Sequence, residues 1–235
     1  MPINAIVFDM DDTLYREKDY IISGLKAVSD WVEKKYNITG FYEAAVHYMN
    51  TDHKSFVFNR ALEKLQADYD EELIRELVER YRFHPPDIHL FEDAEWVLNH
   101  LANTVKLGLI SDGYLASQEK KVSALRLQER FESIILTDRY GKEHWKPSPV
   151  PYEQTSRELQ VPHHQCVYIG DNVKKDFITA KSLGWITIHI DRKDGVYSDI
   201  AVEPEYQAHY KIDDLRKLSE VHELKHLFLA SSISA

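Results

Sequence analysis

The sequence contains one cysteine, Cys166, which excludes an internal disulfide framework and fits a reducing compartment. It has no apolar stretch approaching the roughly 18 residues of a membrane-spanning helix. Its first residues, Met1-Pro2-Ile3-Asn4, lack the basic and apolar parts of a secretory signal, so a cytoplasmic location is expected. Positive charge is also short: 29 basic residues face 39 acidic ones, a formal charge of -10, which argues against nucleic acid or an anionic membrane as the main partner. An anionic substrate stays compatible with that balance, because a bound cation and a few lysines set the field inside a cleft. No internal repeat and no low-complexity segment interrupts the chain. What is present is 235 residues, 43% hydrophobic and 11% aromatic, enough to bury a core in one large domain or one domain carrying an insert. A monomer or homodimer is expected.

The most informative stretch is residues 5–14, Ala-Ile-Val-Phe-Asp-Met-Asp-Asp-Thr-Leu, where an apolar run of strand length ends in three carboxylates and a threonine. A buried parallel strand reads as a continuous apolar run, so Ile6, Val7 and Phe8 carry Asp9 to the carboxyl edge of a sheet, where open α/β folds place their ligands. Asp9 and Asp11 then reach one space beyond the strand. Carboxylates this close raise each other's pKa unless a cation joins them, and hard oxygen ligands of this kind suit Mg2+. Taken alone, the pattern also fits an Asp-rich turn with Thr13 capping a helix.

After Leu14 the apolar residues Ile21, Ile22, Leu25, Val28 and Val32 recur at helical spacing, and the helix closes near Asn37 to Gly40. Further helical patterns cover 41–50, 54–66 and the run through Leu73, Ile74, Leu77, Val78 and Tyr81, the last capped by Asp70. His84-Pro85-Pro86 stops the run. Residues 15–86 thus read as an all-helical insert on a core made of 1–14 and 87–235. From residue 88 helices alternate with short apolar strands at 105–111, 133–137, 166–170 and 186–190, which signals a parallel sheet covered on both faces. With the first strand this predicts an α/β, doubly wound, five-stranded parallel sheet of Rossmann-like type. Residues 191–210 read as a loop and 213–229 as a closing helix bearing Leu215, Leu218, Val221, Leu224 and Leu227; the tail from Ser231 is expected to fray.

Three more polar stretches fall at strand ends. The second strand delivers Ser111-Asp112-Gly113, a hydroxyl followed by a turn whose backbone N–H groups can cradle an anion, although Ser-Asp-Gly is also an ordinary turn. The loop after the third strand holds Lys146-Pro147, where an ammonium can meet phosphate oxygens or simply face solvent. The fourth strand delivers Gly170-Asp171-Asn172-Val173-Lys174-Lys175-Asp176 at the start of the next helix, where an aspartate often serves as a cap. The order is what counts: acidic pair, hydroxyl, lysine, acidic pair, each after a consecutive strand.

In that order, Asp9-Met10-Asp11-Asp12-Thr13, Ser111, Lys146 and Gly170-Asp171 with Asp176 resemble the four motifs of the haloacid dehalogenase (HAD) superfamily. The resemblance spans about 5–190, and the helical insert is similar to the family's type I cap domain. It implies a phosphatase with Asp9 as nucleophile and Asp11 as general acid and base. Ser111, Asp112, Gly113 and Lys146 would bind the phosphoryl group, Asp9, Asp171 and the backbone carbonyl of Asp11 would hold Mg2+, and Asp176 would orient Lys146 or a metal-bound water. The three carboxylates of Asp9, Asp11 and Asp171 are expected to converge. Asp12 occupies a motif position that the chemistry does not use. Two departures stand out: a longer loop, Gly141-Lys142-Glu143-His144-Trp145, precedes Lys146, and Asn172 with Lys174-Lys175 fills the fourth motif. Trp145 can line a substrate entrance or anchor its loop.

A dehalogenase needs no acid two residues past its nucleophile, since halide leaves unprotonated, so Asp11 favours phosphate esters. The resemblance reaches sugar phosphates, nucleoside monophosphates and phosphoglycolate-like substrates without choosing among them. A phosphomutase or other phosphotransferase shares all four motifs and is the alternative. A noncatalytic module would be expected to lose motif residues, and none is lost. Arg16, Lys18, Tyr20, His47, Lys54 and Arg60 are candidates for selecting the ester, and each also fits a solvated helix face.

Overall fold

A computed structural model describes residues 2–51, 56–193, 195–197 and 200–229. The chain divides into two compact units, Met1–Glu17 with His89–Ala235 and Lys18–Ile88.

The larger unit is built on six parallel strands, β1 (Ala5–Phe8), β2 (Lys106–Ser111), β3 (Ser133–Leu136), β4 (Cys166–Gly170), β5 (Ile186–Ile190) and β6 (Tyr210–Ile212), in the order β3-β2-β1-β4-β5-β6. β1 lies between β2 and β4, with Phe8 opposite both Leu109 and Ile169. All four of its residues are buried, which explains its unbroken apolar sequence: each face of a central parallel strand is covered. Ala5 and Val7 join a cluster with Ile110, Tyr152, Tyr168 and Trp185, while Phe8 meets Phe131 edge-on. Burying each large side chain here contributes about 1.5–3 kcal/mol. The strand order reverses direction between β1 and β4, and a crevice at the carboxyl ends of the strands is where such sheets place ligands. Asp9 and Asp171 follow the two strands that flank this switch point.

The sequence accounts for five of these strands and misses β6. Three residues long, half-buried at Tyr210, exposed at Lys211 and buried at Ile212, it is too short to show a period, and its lysine is what an edge strand carries to avoid pairing with other chains. The single closing helix over 213–229 is also corrected. The chain forms a 3-10 segment, Leu215–Glu220, and a short helix at Lys225–Leu229. Leu215, Leu218, Val221, Leu224 and Leu227 are all buried, yet they repeat every three residues. That is the period of a 3-10 turn; on a long α-helix the same stripe would wind away from one face.

The smaller unit contains α1 (Glu17–Tyr36, beginning one residue earlier), α2 (Phe41–Met49), α3 (Val57–Lys64) and α4 (Glu71–Phe83). Leu25, Val28, Val32, Phe41, Leu62 and Leu77 form its own core. Asn37 and Gly40 both adopt left-handed backbone after α1, and the Asp70 side chain accepts the Leu73 N–H at 2.8 Å, as its capping role requires. In the larger unit α5 (Glu92–Leu101), α6 (Leu115–Ala124), α7 (Val150–Leu159) and α8 (Ile178–Ser182) follow the strands. Among the described residues no helix is long and apolar enough to cross a membrane. The tail from Ser231 lies outside the described residues.

Candidate active site

Asp9 is the first residue past β1, and its N–H donates to the Ile169 carbonyl at 2.8 Å, which fixes the backbone against the end of β4. Its carboxylate meets the Lys146 ammonium at 2.5 Å. Lys146 comes from the loop after β3, and far from facing solvent its side chain is fully buried. The ammonium also reaches Asp176 at 2.8 Å and the Tyr168 hydroxyl at 2.8 Å. Burial works against this ammonium, but Asp176 and Asp9 beside it prevail and hold its pKa well above the ordinary lysine value.

Asp176 is fully buried, and its second oxygen accepts the Asn172 N–H at 2.9 Å. The turn that carries it replaces the first turns of the expected helix: Asp171 to Asp176 stay in turns, closed by the bonds of Lys175 and Asp176 N–H to the Asn172 carbonyl, and α8 begins only at Ile178. Gly170 makes this possible. A Cβ there would lie 2.3 Å from the Asp176 carboxylate, so only glycine admits the close approach.

The oxygens of Asp9, Asp171 and Asp176 all lie within 4.8 Å of one another, and all three residues are buried. Lys146 touches two of the three carboxylates and is one positive charge against three negative ones. Burial accordingly pushes the Asp9 carboxyl up to about 7 in spite of Lys146, and burial together with Asp9 and Asp176 holds Asp171 well above the usual carboxylate range. Hard oxygen donors with uncompensated charge at this spacing fit a small divalent cation such as Mg2+.

Asp11 is not the third member of that trio. Its carboxylate is turned to the Lys121 ammonium at 2.6 Å, the Gln118 side-chain amide at 2.9 Å and the Tyr15 hydroxyl. Burial would raise its pKa, but Lys121 outweighs this and holds it below the ordinary value. Ser111, at the end of β2, is buried with its Oγ 2.7 Å from the same Gln118 amide. Gly113 takes a positive φ of 133°, as the turn after β2 requires, and a Cβ there would press on Gln118 at 3.0 Å. The Asp112 carboxylate faces away from a ligand role: it accepts from Lys175 at 2.6 Å, the Thr137 hydroxyl at 2.8 Å and the Lys146 N–H at 3.1 Å. It ties together the loops that carry Ser111, Lys146 and Lys175. Sequence reasoning missed Gln118, Lys121 and Tyr168. The first two had a signal: they stand at helical spacing with Leu115, Val122 and Leu125, so polar side chains occupy the buried face of α6.

Asp12 has a structural task. It is buried in left-handed backbone with φ 48°, and its two carboxylate oxygens accept the N–H groups of Glu17 at 2.8 Å and Val196 at 3.0 Å. Asp12→Ala leaves two N–H groups without their charged acceptor and puts alanine where its Cβ is strained. Urea unfolding is expected to show a loss of about 2–4 kcal/mol. A loss under about 1 kcal/mol would mean that the two bonds do not anchor these segments.

Of the candidates for ester selection, Tyr20 is buried with its ring against Tyr81 and His84, Arg16, Lys18 and His47 are exposed, and Arg60 is half-buried. Lys54 lies outside the described residues. Trp145 is half-buried, with its indole N–H buried and Lys142 6.0 Å from its ring.

With the geometry in place, residues 6–190 match the family model described as haloacid dehalogenase-like hydrolase. The chain belongs to this family. Glyceraldehyde 3-phosphate phosphatase of Methanocaldococcus jannaschii is 27% identical over 93% of this chain and 96% of its own length. Pyrophosphatase PpaX of Bacillus cereus is 24% identical over 94% of this chain and 99% of its own. Among solved structures, a HAD phosphatase from Thermococcus onnurineus superposes with a TM-score of 0.61 at 26% identity, covering 93% of this chain and 97% of that one. This HAD-like hydrolase therefore has named phosphatases among its relatives.

Proposed function

We propose that this hydrolase is a Mg2+-dependent phosphatase that cleaves a small phosphorylated metabolite through an aspartyl phosphate on Asp9. The observation that carries the reading is the Asp9 carboxylate at the centre of the sheet's carboxyl edge, 2.5 Å from a buried lysine and grouped with Asp171 and Asp176. A carboxylate oxygen of Asp9 attacks phosphorus, the ester P–O bond breaks, and the departing oxygen takes a proton from Asp11, which becomes protonated when the entering phosphate dianion raises its pKa against the pull of Lys121. Asp11, now a carboxylate, takes a proton from water as the water oxygen attacks phosphorus, and the bond to Asp9 breaks to release inorganic phosphate. Ser111 and Lys146 bind the transferring oxygens, supported by the backbone of Asp112 and Gly113, while Asp176 holds Lys146 in place.

Asp9 and Asp171 would hold the cation, with Asp11 contributing only its backbone carbonyl. The cation supplies charge neutralisation for the phosphoryl group, the main requirement of phosphoryl transfer. We assign the helical unit as the cap that selects the ester and place the reaction in the cytoplasm, which the lone buried Cys166 supports. The names of the relatives support small phosphate esters or pyrophosphate as the substrate class. The test is phosphate release across a panel of sugar phosphates, triose phosphates, nucleoside monophosphates, phosphoglycolate and pyrophosphate with Mg2+. Release from none of them would overturn the reading, and transfer to a sugar hydroxyl in place of water would reassign it as a phosphotransferase.

A further inference from the structure

We propose that Gln118 and Lys121 are positioning residues that hold the Asp11 carboxylate and the Ser111 hydroxyl in one array, so that the group serving the leaving oxygen is set in register with the group binding the phosphoryl oxygen. The inference rests on the phosphatase reading and deepens it.

α6 begins two residues after Gly113, and Gln118 and Lys121 stand three residues apart on it, a spacing that puts both on one face. Both are almost fully buried, at 1% and 4% exposure, which is rare for a glutamine and rarer for a lysine. Burial of this kind is costly unless each polar group is met. The Lys121 ammonium is met by Asp11 at 2.6 Å, and it also lies 5.9 Å from the centre of the Tyr15 ring, whose hydroxyl donates to the same carboxylate. With Gln118 on its other oxygen, Asp11 is held by three donors, and its side chain has one orientation.

The Gln118 amide nitrogen faces three oxygens: Asp11 at 2.9 Å, Ser111 Oγ at 2.7 Å and the Asp112 carbonyl at 2.8 Å. A carboxylate and a carbonyl only accept, so the group facing them is the amide nitrogen rather than its oxygen. The two amide hydrogens are shared among these three oxygens, and because the nitrogen accepts nothing, the Ser111 hydroxyl hydrogen is turned away from Gln118, free to serve as a donor for a phosphoryl oxygen. One side chain thereby sets both the direction of the Ser111 proton and the place of the Asp11 carboxylate. Gly113 leaves the space this side chain needs, since a Cβ there would meet it at 3.0 Å.

A buried lysine needing a counterion would give the same ion pair without any part in turnover, and leaving-group dependence separates the two. An alkyl phosphate needs a proton on its departing oxygen, whereas p-nitrophenyl phosphate does not. For Lys121→Met and Gln118→Leu, kcat on an alkyl phosphate is expected to fall about 10- to 100-fold, the range seen when a supporting partner of a reacting group is lost. With p-nitrophenyl phosphate, phosphorylation of Asp9 is expected to persist while its hydrolysis slows, so a burst of p-nitrophenol precedes slow turnover. Lys121→Arg should recover part of the loss. In an Asp11→Asn background, adding Lys121→Met should cost nothing further, because the group it positions is gone.

Absence of the p-nitrophenol burst, full additivity with Asp11→Asn, or a lowered Tm with unchanged kinetics would each overturn the proposal. If Lys121→Met does not fold, Gln118→Leu and Lys121→Arg carry the same test. An unmodified enzyme that releases phosphate from no ester would instead overturn the phosphatase reading, and this inference with it.

Discussion

Replacing Asp9 with asparagine is expected to lower kcat by about 10,000-fold or more and to leave no phosphoenzyme after acid quench, since the amide cannot form the covalent bond on which both half-reactions depend. Asp11→Asn should behave differently. It keeps the nucleophile, so a substrate with a good leaving group still phosphorylates Asp9, and labelled protein accumulates because water is no longer activated. Loss of label in both variants would contradict the division of roles. The stability of Asp9→Asn gives a second readout. In chelator its Tm is expected to equal or exceed that of the unmodified protein, because burial already pushes the Asp9 carboxyl up to about 7 and Lys146 keeps Asp176 as its partner. A large drop would mean that the Asp9–Lys146 pair serves folding more than reaction.

The second large effect is metal dependence. Excess EDTA is expected to reduce turnover to below about 1%, with full return on adding Mg2+, because buried carboxylates at this spacing with one lysine cannot all be ionised without a cation. Asp171→Asn should raise the Mg2+ concentration for half-saturation about 10- to 100-fold, as loss of one oxygen donor implies. Calorimetric titration of Mg2+ reads the same shift without turnover. Full activity in EDTA, or an unchanged Mg2+ affinity in Asp171→Asn, would remove the metal from the mechanism. The same variant should be no less stable than the unmodified protein in chelator, since burial and its acidic neighbours oppose the Asp171 charge.

How much of this was legible in the sequence follows from how each part is specified. β1 and the residues that follow it were legible because a doubly covered strand must be apolar throughout and a ligand edge must not be. The same contrast located Ser111 and Asp171. β6 was not, since three residues at an edge carry no period, and the closing segment misled because its apolar residues repeat every three residues and not at the α-helical interval. Lys146 was found by its place in the order of motifs, while its burial could not be, because only the fold brings Asp9 and Asp176 to it. The acidic trio was misassigned in one member. Asp11 is close to Asp9 in sequence, but Lys121 and Gln118 on α6 turn its carboxylate away, and Asp176 arrives from a turn where a helix was expected.

The central place of β1 has a consequence for how the protein is made. β1 is synthesised first, and β2 can pair with one of its edges once residue 111 is out, but the other edge waits for β4, whose first residue is Cys166. Until then a growing chain presents Ala5 to Phe8 as an unpaired apolar edge, the kind of surface that recruits other strands. Fragments ending between β3 and β4 are therefore expected to aggregate during expression, more so than fragments extended through Ile190, in which β4 covers β1 and β5 in turn covers β4. Until Cys166 has emerged, the strand that carries Asp9 is the one most in need of protection.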